Sequence, residues 1–180
     1  MRRVSVAGIS GSGKTTFARA LAERLGVAYV ELDALHHGPN WTEATAEELR
    51  ARVETAIAAA PDGWVIDGNY RNKLDDIVLA QADTVVWLEL PLRVSLARLA
   101  QRTWRRMRTR EELWHGNREQ FRNLVGLREG LFAWAIRSYR HHRHQVPAAA
   151  AHYTHLRLVH LRTQAEVDAF LAQASVSPSQ

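Results

Sequence analysis

The sequence predicts an α/β protein, a five-stranded parallel sheet with helices on both faces. Three observations lead there: five short apolar runs rich in β-branched residues, helical periodicity between them, and short links throughout the 180 residues. No repeat or low-complexity tract divides the chain, and 46% hydrophobic content suffices for one core, so residues 1–180 read as a single domain.

The first strand, Met1 to Ala7, runs into Gly8-Ile-Ser-Gly-Ser-Gly13-Lys14-Thr15, and Phe17, Leu21 and Leu25 then follow at helical spacing. A glycine loop between strand and helix, with this spacing, matches the phosphate-binding pattern. In it the main-chain N–H groups of Gly8, Ser10, Gly11, Ser12, Gly13, Lys14, Thr15 and Thr16 wrap an anion, Lys14 reaches the terminal phosphates, and the Thr15 hydroxyl binds Mg²⁺. The positive end of the following helix adds to the attraction. ATP with Mg²⁺ is the cofactor this stretch implies.

Gly26 closes the first helix, and Val27 to Leu32 form a second strand ending at Asp33. The Gly-Pro-Asn of "DALHHGPNW" marks a loop, and Thr42 or Thr45 caps a helix whose Leu49, Val53, Ile57 and Ala60 share one face. After "PDG", "WVID" is the third strand; a short helix around Leu74 to Ala80 leads to "TVVWLEL", the fourth. Pro91 suits the first position of the next helix. Thr109 with Glu112 and Asn117 with Gln120 have capping-box spacing, so that helix is expected to break twice around a lid segment at about 102–117. A stripe from Phe121 to Tyr139 ends at Pro147, Leu156 to Leu161 form the fifth strand, and Thr163 with Glu166 caps a last helix over 164–174.

Asp67 falls at the carboxyl end of the third strand, where open α/β sheets bind ligands, and its carboxylate can orient the Mg²⁺ shell. Asp33, at the end of the second strand, points toward an acceptor, whose hydroxyl it could hydrogen-bond and deprotonate. His36 and Trp41 lie in the loop after it, and Arg71 could hold an anionic acceptor.

Charge is concentrated in one region: Pro91 to Gln145 holds thirteen Arg against four acidic residues, while the rest of the chain is net acidic. Arg98, Arg102, Arg106 and Arg110 recur every four residues, and guanidinium groups so placed neutralise the charge that spreads over a moving phosphoryl group. Arg98, Arg102 and Arg106 are the catalytic candidates among them, with Arg118 and Arg122 next as acceptor-binding residues.

These stretches together resemble the adenylate-kinase-like P-loop kinases. In nucleoside monophosphate kinases a comparable strand ends in Asp-Gly-Phe-Pro-Arg; here Asp67, Gly68 and Arg71 match, while Asn69 and Tyr70 replace Phe-Pro. Over nearly the whole chain, "LDAL…W", "IDGNY" and the Arg-rich segment are similar to a bacterial group described as topology-modulation or adenylate-kinase-related proteins. The resemblance implies a nucleoside-monophosphate-kinase-like fold with a helical Arg-rich lid, and transfer of the ATP γ-phosphoryl group to a small molecule, a nucleoside monophosphate first. Asp33, Leu35, His36 and Asn40 also resemble the Asp-x-Leu-His…Asn of gluconate kinases, which keeps a sugar acid open as acceptor.

A second class of reading stays open too, a nucleotide-gated, non-catalytic protein that grips nucleic acid through the basic segment and its Trp104 and Trp114. His141, His142, His144, His152 and His155 fit no strong zinc spacing, so no separate metal site is expected. Most tryptophans fall on apolar stripes and read as core, Trp41 excepted. With no cysteine and no long apolar run, the expectation is a cytoplasmic protein away from membranes; nothing in the sequence bears on oligomeric state.

Overall fold

Strand β1 (Arg3–Gly8) occupies the middle of the sheet, parallel to β3 (Trp64–Asp67) on one side and β4 (Thr84–Leu88) on the other. Adding β2 (Ala28–Glu31) and β5 (Arg157–Leu161) at the edges gives the order β2-β3-β1-β4-β5, all parallel. The computed structural model describes residues 1–74, 76–118 and 131–174. Strands β3 and β4 are buried at every position, which explains their continuous apolar runs: a parallel sheet is covered on both faces.

Helices α1 (Lys14–Leu25) and α7 (Gln164–Gln173) cover one face, with Phe17, Leu21, Leu25 and Val167 closing on Val4, Val6, Val86 and Leu88. On the other face α3 (Ala46–Ala58) sets Leu49 and Val53 against Trp64 and Ile66, and α6 (Leu131–His152) sets Val146 and Ala149 against Val85 and Trp87. The registers put Asp67 beside Val6 and Glu31, and Gly8 beside Leu88, so the carboxyl ends of the central strands converge. Among the described residues no helix is long and apolar enough to cross a membrane.

Two of the expected caps form: Thr45, rather than Thr42, opens α3 in a reciprocal capping box with Glu48, and Thr163 opens α7 in one with Glu166. Elsewhere tertiary packing moved the boundaries. The second strand stops at Glu31, and Asp33 lies in the short helix α2 (Leu32–His36). After β3 the helix is α4 (Arg71–Leu74), three residues ahead of its expected start, because the Tyr70 carbonyl accepts from the N–H groups of Lys73 and Leu74. Pro147 does not end a helix; it lies inside α6, where its cost of about 3 kcal/mol is opposed by burial of Val146, Ala149 and Ala150 on either side.

The helix breaks at Thr109 as expected, but Thr109 does not cap a new one. Helix α5 (Leu92–Thr109) runs unbroken past Arg102 and Arg106, with Pro91 as the residue before its first turn, and ends at Arg110 in the left-handed region. Thr109 Oγ1 donates back to the Arg105 carbonyl, the alternative that a Thr hydroxyl always has to capping. Asn117 is 4% exposed and its amide is taken up by a distant loop, while Gln120, its expected partner in a capping box, lies outside the described residues. Trp104 is 66% exposed, because the buried stripe of α5 is Ser95, Leu99 and Thr103, and position 104 falls beside it. Trp114, half-buried, packs on Trp41 instead of joining the core; Trp134 has no described side chain.

Candidate active site

The loop from β1 to α1 holds its curve through Ser12 N–H donating to the Ile9 carbonyl at 3.1 Å and Phe17 N–H to the Gly13 carbonyl at 3.0 Å. Gly11 has φ +83, and a Cβ there would land on the Ser95 carbonyl oxygen of α5, so the loop and α5 approach as closely as only glycine allows. Helix α1 starts at Gly13 without a side-chain cap and without an acidic residue in its first turn, leaving its first N–H groups to face the loop. Thr16 is exposed, Ser10 half-buried, and Ser12 buried. Lys14 Nζ donates to the Ile9 carbonyl at 3.1 Å, lying across the cradle it is expected to serve. Desolvation holds its pKa below the ordinary value; Asp67 and Asp33 oppose that, and Arg102 adds to it.

Asp67, 4% exposed, accepts through Oδ2 from Thr15 Oγ1 at 2.6 Å and from the Tyr29 hydroxyl at 3.5 Å. Its Oδ1 is buried without a hydrogen-bond partner. Burial raises the Asp67 pKa, and the Lys14 charge pulls it back. A hydroxyl and a desolvated carboxylate with one unsatisfied oxygen make a hard oxygen donor set, which suits Mg²⁺. Thr15 and Asp67 are therefore the residues that could hold the ion.

The arginines divide. Arg98 comes near Gly13, since a Cβ on that glycine would lie 3.7 Å from its Nη1; its Nη2 donates to Gln164 Oε1 at 2.9 Å. Arg102 is close enough for its charge to act on Lys14. Arg106 turns toward Glu111, Nε to Oε1 at 3.5 Å. Arg118 pairs with Glu112 at 2.5 Å. Arg71 opens α4, but its side chain is not among the described ones, and Arg122 lies outside the described residues.

Asp33 Oδ1 accepts from the Tyr70 hydroxyl at 2.7 Å, and Tyr70 lies 3.4 Å from His37 Nε2. Burial and then the Asp33 charge push the Tyr70 pKa up, so the phenol keeps its proton and orients the carboxylate. His36 is buried beneath Tyr70, ring centroids 4.5 Å apart, with Nε2 3.3 Å from Glu43 Oε2 and 3.4 Å from Lys73 Nζ. Burial and the Lys73 charge lower its pKa, so it serves this network as a neutral ring. Trp41, half-buried, stands edge-on to His37 at 5.4 Å.

Four residues of this region escaped the reading of the sequence as site residues. Asn69 Nδ2 donates to the Gly8 carbonyl at 2.5 Å and its Oδ1 accepts from Gly8 N–H at 3.4 Å, clamping the start of the phosphate loop to the end of β3. Its signal was visible: an amide, donor and acceptor at once, two positions after the strand-end Asp67. Tyr70 and Asn117 act through partners far away in sequence. His142 of α6 is held down to a pKa of about 4, by burial first and then by the Lys14 charge. Between α6 and the sheet a cavity of about 70 Å³ is lined by Leu32, Asn69, Tyr70, Val78, His142 and Val146, among others.

Comparison with known proteins agrees with this geometry. Residues 4–121 match a family model described as the AAA domain. A cytidylate kinase of Pyrococcus horikoshii is 27% identical over 143 residues, 69% of this chain and 71% of that protein. The fold superposes on shikimate kinase from Acinetobacter baumannii, solved with shikimate, with TM-score 0.55 and 20% identity over 96% of this chain and 90% of that one. A gluconokinase from Sinorhizobium meliloti gives TM-score 0.53 and 21% identity over 97% and 93% of the respective chains. A match across most of the chain, a phosphate loop at the head of α1 and a Thr15–Asp67 pair at the sheet's carboxyl edge lead to one conclusion: this chain belongs to the AAA domain family, as a P-loop kinase.

Proposed function

We propose that the protein transfers the γ-phosphoryl group of ATP, bound with Mg²⁺, to a nucleoside monophosphate. The observation that carries the transfer is the Thr15–Asp67 contact at 2.6 Å with Asp67 Oδ1 left unsatisfied beneath the Lys14 loop. The loop amides from Gly8 to Thr16 hold the β- and γ-phosphates, and Lys14, Arg98 and Arg102 neutralise the group in flight. Thr15 and Asp67 would hold Mg²⁺, which would supply Lewis-acid neutralisation of the charge developing on the phosphates. Arg106, with the 102–117 segment as a lid over the site, belongs to the same reading. The acceptor is held by Asp33, Trp41 and Arg118, and Arg71 and Arg122, whose side chains lie outside the described ones, belong to the same reading of the sequence.

The relative named a cytidylate kinase supports a nucleotide over a sugar acid. Asp33, oriented by Tyr70 as a hydroxyl acceptor, supports the gluconate-kinase-like alternative.

A phosphoryl-transfer screen with labelled ATP against CMP, AMP, gluconate and shikimate tests the proposal. The expected product is a nucleoside diphosphate, absent when EDTA removes Mg²⁺ and absent in Lys14→Ala. Phosphogluconate as the sole product would replace the acceptor assignment. ATP binding unchanged in Lys14→Ala would overturn the site. Steeply salt-dependent DNA binding, with no phosphorylated product from any acceptor, would favour the nucleic-acid reading.

A further inference from the structure

Two loops of the same design face each other at the acceptor side. One is closed by the bridge His37↔Glu43 and the other by Glu112↔Arg118, and each contains a single 3-10 turn, Pro39–Trp41 and Trp114–Gly116. In each a non-glycine residue takes the left-handed conformation, Asn40 at φ 55 and His115 at φ 56, and in the first loop Trp41 follows at φ 59. A tryptophan in that region costs on the order of 1–3 kcal/mol and persists only where its surroundings hold it.

Asn117 supplies the hold. Its Oδ1 accepts from Trp41 N–H at 2.9 Å and its Nδ2 donates to the Gly38 carbonyl at 2.8 Å, so one amide satisfies both strands of the opposite loop. The Trp41 indole donates to the Arg118 carbonyl at 3.3 Å, and Trp114 lies against His37 at 5.7 Å and edge-on to Trp41 at 6.4 Å. The first loop reaches Asp33 through His37 and Tyr70; the second continues from α5, which carries Arg98 and Arg102 to Gly13 and Lys14.

We infer that Asn117 is a positioning residue that locks these two loops into one cover over the acceptor pocket, so that the pocket closes against water as a unit. The inference rests on the acceptor site proposed above. Releasing the amide lets Trp41 leave its strained conformation and the loops part, and bulk water then competes as acceptor for the γ-phosphoryl group: the Pγ–O bond to ADP breaks, one to water oxygen forms, and a proton leaves to solvent.

The test compares wild type with Asn117→Ala and Asn117→Asp, using ATP alone. Asn117→Ala loses both bonds; Asn117→Asp keeps an acceptor for Trp41 N–H but sets a carboxylate against the Gly38 carbonyl. Expected is a rise of about fivefold in ATP hydrolysis for Asn117→Ala, a smaller rise for Asn117→Asp, and a KM for ATP within twofold of wild type, together with stronger acrylamide quenching of tryptophan fluorescence. Unchanged hydrolysis with unchanged quenching overturns the inference, and so does a parallel loss of ATP affinity, which would assign Asn117 to the fold at large. If wild type itself fails to bind ATP, the kinase reading fails on its own evidence, and the quenching comparison still reads the lock.

Discussion

The phosphate loop takes its curve from bonds among Gly8 to Thr16, with Asn69 and Ser95 bracing it from outside, whereas the cover at the acceptor side is held by bonds between residues 76 to 79 positions apart. The first is a local backbone device: its glycines, its lysine and the helix start all follow one strand. The second exists only after the segment following α5 has met residues 37–43 from far along the chain. A local device is robust to change elsewhere and sensitive to change within; a device assembled at long range should show the reverse. That difference can be broken or sharpened experimentally.

The largest effect should come from the phosphate side. Asp67→Asn keeps an oxygen for the Thr15 hydroxyl but removes the charge that a cation needs, so turnover should fall about 10²–10³-fold with the fold intact. Steady-state rates across a Mg²⁺ titration measure it, and a loss repaired by more Mg²⁺ alone would reduce Asp67 to an affinity role.

Next are two glycines of the same positive φ. In Gly11→Ala the new methyl meets the Ser95 carbonyl, so the urea midpoint should drop by the equivalent of about 2–4 kcal/mol. Gly116→Ala in the cover meets nothing within 4 Å and should cost only about 1 kcal/mol, for its φ of +77. Equal losses would erase the distinction between the two regions.

A smaller change is expected for Tyr70→Phe, which leaves Asp33 without its donor. Acceptor turnover should fall about tenfold while the KM for ATP stays put, since a buried hydrogen bond to a charged group is worth roughly 1.5–3 kcal/mol. Product formation at saturating ATP separates the two parameters.

The smallest effect joins the regions. The His142 pKa is about 4 in the folded protein, against 6.5 for a free imidazole, so the unfolded chain binds more protons between those values. Stability should therefore fall as pH drops from about 6.5 toward 4, by on the order of 1 kcal/mol for a group solvent still reaches. Urea unfolding of His142→Gln at pH 7 and 4.5 should show a flatter loss than wild type.

Much of the architecture was legible because it is periodic or local: the five strands, the phosphate loop, a cap at Thr42 or Thr45 and the box of Thr163 with Glu166 depend on residues within a turn of each other. The misreadings are places where a local signal had an equally good local alternative. The Thr109 hydroxyl could cap forward or bond backward, and Pro147 could stop a helix or be carried by the packing around it. Asn117 had cap spacing, yet both hydrogen-bonding halves of its amide went to Gly38 and Trp41.

The chemistry of the loop, and the placing of Asp67 at a strand's carboxyl end, were written in the order of residues, because backbone conformation and strand direction are decided by near neighbours. Which arginines come to Lys14, where Asn69 grips, how Tyr70 turns Asp33 and what closes over it were decided only in three dimensions. The physical reason is that a side chain's hydrogen-bond partner and its desolvation depend on what arrives from elsewhere in the chain, and spacing along the sequence carries no record of that arrival.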